Sequence, residues 1–491
     1  MKSLIFFVSI FLLTLFSCKK QLIEKPKSMT VEAFYNTAQE VEAGLSAIYP
    51  PIRSAYSQWW LVLLECQTEW GAGAYGSANA DAARMMQGLD AVTGNNIVAV
   101  WDASYQSIRN ANLIISNVPN SKVLTSEQKD GYIAEAKFMR ALVYFHIVRV
   151  WAGVPIYTEQ NMTQTTGVSK GTKQEVYELI RSDLEFAEIH LPENAPLLGK
   201  PSKWAAKTFL SDVYLYLELY QQASDKANEV IQANKYSLQT VTVANDFNNI
   251  FGLDASSPEE IFYFKYNQSS PSGLVLFTME INNKPWFGSN GYGFFYWPKE
   301  SVFYKNWNDN DLRKEFNWYN SNDPKDFLPG QSAFPIGASV VSPKKYNDPT
   351  GSATISTFAF PIYRYAELLL IYAEASARAK GAPTADGMEK LNMVHRRAYG
   401  FNPLQTSPVD FNVADYNTEG FIDLISQEVG YEFQFEAKRW FNLVRIGKVK
   451  EVMKKNIDRV VTDKALLWPI PSIEFDLNEA MDRSKDQNPG Y

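Results

Sequence analysis

Histidine and cysteine are nearly missing from this 491-residue chain, which has three of the first and two of the second. The histidines, His146, His190 and His395, lie far apart on helically patterned stretches and form no HExxH-type ligand pair. Each is expected to be structural rather than a metal ligand. No GxSxG elbow or P-loop occurs, so the sequence offers no familiar nucleophile or Walker-type phosphate cradle. A basic run is also missing, and the net charge is −7, which argues against nucleic acid and against charge-driven binding to anionic lipid. Asn308-Asp309-Asn310-Asp311 lacks the glycine and distal glutamate of a calcium loop; it reads as a turn at the start of a helix. Glycoside hydrolysis needs two carboxylates about 5–10 Å apart, and 54 acidic residues neither exclude nor nominate such a pair. The acids that stand out recur at helical spacing beside arginines: Glu428, Glu432 and Glu436 near Arg439 and Arg445, and Glu367 and Glu374 after Arg364. Ion pairing between packed helices explains that pattern better than catalysis.

What is present begins with an apolar run, Leu4 to Phe16, behind the single charge of Lys2. It is shorter than the roughly 20 residues of a membrane-spanning helix and has the length of a signal-peptide core. Leu15-Phe16-Ser17-Cys18 follows and resembles the lipobox of bacterial lipoproteins, in which the cysteine is lipidated and becomes the first mature residue. The expectation is a signal peptide over 1–17, then the lipidated Cys18 and a flexible tether over 18–30. Loss of Lys2 with the signal takes the charge from −7 to −8. Cys66 would then lack a partner, and within Leu61-Val62-Leu63-Leu64-Glu65-Cys66 it reads as a small buried apolar residue.

From 31 to 238 the patterning is helical. Trp101, Tyr105, Ile108, Asn112 and Ile115 fall on one stripe of a 3.6-residue period. Thr125 with Gln128 predicts a capping box for a helix that is apolar on every face from Phe138 to Trp151 and stops near Gly153-Val154-Pro155. Helices are predicted over 173–191, 203–218 and 220–234. Leu210, Ser211, Tyr214, Ala223 and Ala227 approach the spacing of a tetratricopeptide pair, in which small residues allow close helix approach. From 239 to 361 the helical period fades. Glu260–Tyr266 and Gly273–Phe277 read as strands, and a dense run of aromatics lies on loop-like sequence between Trp286 and Tyr319. Helices return over 362–380, 385–398 and 418–446, before an irregular tail. The fold class is therefore mainly α: tetratricopeptide-like helix pairs forming an α-solenoid scaffold, with a loop-rich, partly β insertion.

These segments, in this order, resemble the SusD/RagB family of outer-membrane nutrient-binding lipoproteins of Bacteroidota. The pieces include Trp101-x3-Tyr105-x2-Ile108-x3-Asn112, Glu135–Ala141 leading to Gly153-Val154-Pro155, and Val176-Tyr177-x2-Ile180-x2-Asp183-Leu184. Later pieces are Arg364–Leu370 with Ala373-Glu374-Ala375, Phe435–Leu443, Pro469-Ile470-Pro471 and the ending Gln487-Asn488-Pro489-Gly490-Tyr491. Val429, Ala437 and Asn442 stand where the family commonly has arginine, glycine and aspartate, and Lys19-Lys20 follows the cysteine where surface lipoproteins often carry acids. The resemblance implies a 31–238 N-terminal helical region, a 239–361 insertion and a 362–491 C-terminal region. It also implies no catalysis and attachment to the outer membrane as a lid over a SusC-like TonB-dependent transporter; the motifs and their spacing lead to the expectation of no cofactor and no metal.

Aromatics on a loop-rich insertion are the usual way to build a recognition surface on a rigid scaffold, although most are expected to pack the insertion itself. The candidate ligand-stacking residues are Trp70, Tyr75, Trp286, Tyr296, Trp297, Trp307 and Trp318. The expected ligand is an oligosaccharide; a peptide, a surface glycosidase activity and a purely structural adaptor are the alternatives.

Overall fold

The computed structural model describes residues 34–56, 60–70, 73–74, 95–253, 255–266, 295–298, 302–320, 340–346, 348, 357 and 359–491, with backbone alone at 73–74, 95, 295–298, 319–320 and 340–342. The signal sequence, Cys18, the tether, Tyr75, Trp286 and the expected strand at Gly273–Phe277 lie outside the described residues.

The scaffold begins with α1 (Ala38–Ser46), α2 (Asn95–Asn117), α3 (Ser126–Trp151), α4 (Lys173–His190), α5 (Lys203–Tyr216) and α6 (Tyr220–Gln232). The insertion carries α7 (Val302–Asn306) and α8 (Leu312–Asn317). The C-terminal part holds α9 (Tyr365–Lys380), α10 (Ala385–Ala398), α11 (Thr418–Glu432), α12 (Arg439–Arg445) and α13 (Val449–Ile457). The strands are β1 (Gly73–Ala74), β2 (Glu260–Phe264), β3 (Phe295–Pro298), β4 (Trp318–Asn320), β5 (Val340–Pro343) and β6 (Phe360–Arg364).

Helix α3 shows how the sequence sets its limits. The Thr125 hydroxyl accepts from the Gln128 amide at 3.2 Å and the Gln128 side chain accepts from the Thr125 amide at 3.0 Å, so two orphan donors of the first turn are satisfied. At the other end Ala152 turns to φ 58°. The chain then passes so close to Gly171 that a Cβ on Gly153 would meet its carbonyl oxygen at 2.3 Å; only glycine fits there. Between these limits Phe138 to Val148 is buried on all sides, as the all-round apolar pattern requires.

Each helix from α1 to α6 packs on the next, and α6 then packs directly on α9. The chain segment between them leaves the scaffold and returns beside its point of departure. Leu210, Ala223 and Ala227 are fully buried at the α5–α6 contact; the two alanines let the helices approach closely. Strands β2 and β6 pair antiparallel, Tyr263 opposite Pro361 and Phe264 opposite Phe360, closing the neck of the insertion.

The tail is built in. The Trp151 indole donates to the Pro469 carbonyl at 2.9 Å, and the Asn488 amide donates to the Trp151 and Trp468 carbonyls at 3.1 and 2.7 Å. Gln487 exchanges both amide hydrogen bonds with the Ile470 backbone, at 2.8 and 2.9 Å.

Two boundaries differ from the sequence reading. Residues 360–364 are strand, because their backbone finds β2, and the helix begins at Tyr365. The single helix expected over 418–446 breaks between Glu432 and Arg439. Phe435 and Ala437 take φ 61° and 56° there, a left-handed conformation that a continuing helix cannot contain. Glycine takes this conformation without a steric penalty, so Ala437 is strained at that position.

Candidate ligand-binding site

The insertion is organised by a four-stranded antiparallel sheet in the order β1-β3-β5-β4. Gly73 lies opposite Tyr296, Trp297 opposite Val341, and Trp318 opposite Pro343. Segments far apart in sequence are thereby brought to one sheet: Gly73–Ala74, which follows Trp70, the Tyr296–Trp297 strand, and Trp318. That convergence depends on long-range pairing, which no local pattern reveals.

Three of the seven nominated aromatics are corrected by their surroundings. Trp70 is 1% exposed and packs on Phe303 at a centroid distance of 5.3 Å. Trp307 is 2% exposed, stacks on Tyr431 at 4.8 Å, and donates its indole N–H to the Asp311 carboxylate at 2.8 Å. Trp318 is 4% exposed, meets Phe435 edge-on at 5.0 Å and donates to the Gln434 side-chain oxygen at 2.8 Å. Their rings are used by the protein itself, and the buried indoles of Trp307 and Trp318 have the N–H partners such burial calls for. Tyr296 and Trp297 are placed by the backbone of β3.

The insertion is fastened to α11 and the segment after it by buried charge. Arg313, at the start of α8, bonds Asp311 through Nε and Nη2 at 2.9 and 2.6 Å, Glu428 at 2.6 Å and Glu432 at 2.9 Å. Lys345, which follows β5, donates to the Glu436 carboxylate and to the Gln434 carbonyl at 2.9 Å. Arg364, closing β6, bonds Glu432 and also both oxygens of Glu436 at 2.9 Å. Arg397 of α10 reaches Glu432 and Glu259. All of these side chains are buried, where each charge survives only because it is paired. Burial by itself would raise the Glu428 carboxyl, but Arg313 and His395 outweigh it and hold it at about 2. Lys345 is pushed down by burial to about 8, with Glu436 opposing the fall.

The helical stripes of acids are thus ion-paired, as their spacing suggested, although Glu428, Glu432 and Glu436 find their cations outside their own segment. Glu374 takes Arg445 at 2.6 Å and Arg378 at 2.7 Å, and Arg439 takes Glu69. Carboxylates locked to arginines in this way are poor proton donors or acceptors. Asp311 caps α8 through the Arg313 amide at 3.0 Å, so the Asn308–Asp311 turn starts a helix. His146 sits against the Tyr56 hydroxyl, and burial, with Arg149 and Lys438 nearby, pushes its pKa well below the usual value. Among the described residues no group of three or more His, Cys, Asp or Glu is placed to hold a metal. Cys66 is buried and its thiol is pushed up by burial; the neighbouring Glu65 is pushed by burial to about 8, against the pull of the Ala437 amide.

Comparison with known proteins decides the family. A sequence profile described as "Starch-binding associating with outer membrane" matches residues 24–215, and the SusD family profile matches residues 280–491. The chain belongs to the SusD/RagB family. A SusD-like protein of Formosa agariphila is 26% identical over 512 residues, covering 95% of each chain. A SusD homolog from Bacteroides thetaiotaomicron shares the fold with a TM-score of 0.79 at 21% identity, over 94% of this chain and 98% of the other. Surface glycan-binding protein A of the same organism, in complex with laminarihexaose, superimposes with a TM-score of 0.72 at 22% identity, over 92% and 100%. The mainly helical scaffold with its inserted sheet is therefore the SusD fold.

Proposed function

We propose that this SusD-like protein is a non-catalytic lipoprotein that binds oligosaccharide at the outer membrane and presents it to a SusC-like TonB-dependent transporter. The observation that carries the reading is the sheet: it gathers separate aromatic stretches onto one rigid support, in a fold shared with a glycan-binding protein whose complex holds laminarihexaose. Aromatic faces suit the apolar faces of sugar rings, and each stacked ring contributes about 0.5–1.5 kcal/mol beyond its buried area. The binding residues are Trp297 and Tyr296 on β3, together with Tyr75 and Trp286, which lie outside the described residues. Anchoring through Cys18 rests on the Leu15-Phe16-Ser17-Cys18 sequence. The buried, arginine-paired acids support binding over hydrolysis.

Calorimetric titration with neutral oligosaccharides and with peptides tests ligand class. Trp297→Ala is expected to remove glycan binding while leaving the melting temperature in place. Binding of peptides alone would overturn the glycan reading, and reducing ends released by the pure protein would overturn the non-catalytic one. Labelling of Cys18 by a radioactive fatty acid, lost in Cys18→Ala, tests the anchor.

A further inference from the structure

A second cavity lies on the scaffold, between α7, α11 and α13. Its volume is about 370 Å³, within the range of small-molecule clefts. Lys448, immediately before α13, reaches Glu419 and Asp423 of α11 at 3.2 and 3.3 Å. Arg439 at the floor is held by Glu69 and by the Ser426 hydroxyl at 2.9 Å. Gly430 backs the cleft so closely that a Cβ would lie 3.2 Å from both Arg439 and Phe303.

The lining combines aromatic and amide groups. Tyr416, Tyr431 and Phe303 supply ring surface; Gln427, Asn306 and Asn456 supply side-chain amides. The Gln427 amide donates to the Tyr431 hydroxyl at 3.0 Å. The Asn306 and Asn456 side chains have no hydrogen-bond partner among the described residues. An amide offers two donors and an acceptor with two lone pairs, which matches sugar hydroxyls that both give and accept. Charge in the cleft is nearly balanced. Arg439, Lys448 and Lys455 face Asp423 and Glu451, and Glu69 neutralises Arg439 from behind. A polyanion would find little net attraction there; a neutral, hydroxyl-rich ligand finds matched partners. Phe303 belongs both to this cleft and to the buried packing around Trp70, three residues before β1.

We propose that this cleft is a second subsite for a short stretch of neutral oligosaccharide, separate from the aromatic sheet. The proposal rests on the glycan-binding reading above. The test uses the full mature chain, titrated with neutral gluco-, manno- and xylo-hexasaccharides and with the sulfated form of any that binds. Variants are Asn306→Ala with Asn456→Ala, which removes two unpartnered amides, Gln427→Trp, which fills the cleft, and Trp297→Ala on the sheet. The amide pair is expected to weaken hexasaccharide binding by roughly tenfold, the loss of two ordinary hydrogen bonds, at unchanged melting temperature. Gln427→Trp is expected to weaken it at least as much. Unchanged binding in both cleft variants, with loss in Trp297→Ala, would overturn the subsite and leave the function standing. Preference for the sulfated sugar would overturn the neutral-ligand assignment. Failure of every hexasaccharide to bind the unaltered protein would overturn the function and the subsite together.

Discussion

Replacing Arg313 by methionine removes the cation that joins the insertion to α11. The guanidinium serves three carboxylates, Asp311, Glu428 and Glu432, and its loss is felt unequally. Glu432 keeps Arg364 and Arg397, and Glu428 keeps His395 at 3.0 Å. Among the described residues the Asp311 carboxylate retains the Trp307 indole and the backbone amide of residue 313, so it becomes a buried charge without a described cation. Breaking one partner of a buried ion pair costs about 3–5 kcal/mol, and that is the expected loss. The acid limb moves as well. Glu428 has its pKa lowered in the folded state, so its contribution is complete above the unfolded value and fades as pH falls toward 2. Without Arg313 the folded-state pKa moves up toward the unfolded one, so less stability is lost on acidification and that loss ends at higher pH. The assay is guanidinium unfolding from pH 3 to 7 for Arg313→Met, Asp311→Asn and the double variant. The double variant is expected to recover about 1–3 kcal/mol relative to additivity, because it removes the orphaned charge. Simple additivity, or a loss under 1 kcal/mol in Arg313→Met, would refute the account of this network.

Glu65→Gln keeps the acceptor for the Ala437 amide at 2.8 Å but cannot ionise. Because burial raises Glu65 to about 8 in the folded protein, the folded state holds the proton longer than the unfolded one, and wild-type stability falls as pH rises toward 8. The stability advantage of the variant should therefore grow by about 1.4 kcal/mol per pH unit between 5 and 8; a constant difference in melting temperature would contradict it. Ala437→Gly should be neutral within about 1 kcal/mol, since relief of the left-handed conformation offsets the lost methyl. Ala437→Val should cost more than 1 kcal/mol because a β-branched residue fits that conformation poorly; thermal melts compare the two. Trp318→Ala should lower stability by about 3–5 kcal/mol, seen as a lower denaturation midpoint, whereas Trp297→Ala should act on glycan affinity alone.

Local patterns carried much of the fold. Thr125 with Gln128, the all-apolar run to Trp151 and the alanines at 223 and 227 each encode their structure within one or two helical turns. The helix break at Phe435–Ala437 did not show, because neither residue is a helix breaker and the left-handed turn is maintained by Lys345, Arg364 and Glu65 binding the segment from outside. The site was less legible for the same reason. Trp307 and Trp318 stand in loop-like sequence, yet their indoles are claimed by Asp311 and by Gln434, the latter more than a hundred residues away. Exposure cannot be inferred from loop character when the covering residue comes from another region. The pairing of Gly73 with Tyr296 is likewise a contact between distant segments. The acidic stripe on α11 announced ion pairing correctly, but not that Arg313 and Lys345 of the insertion would supply the cations.

The central claim is that this chain holds a glycan without altering it. Calorimetric titration of the mature protein with a neutral oligosaccharide panel, followed by chromatography of the recovered sugar, tests it most directly. The account predicts saturable binding that disappears in Trp297→Ala, with the oligosaccharide returned at its original length. Shortened product, or no heat with any glycan while the transporter still binds, would contradict it.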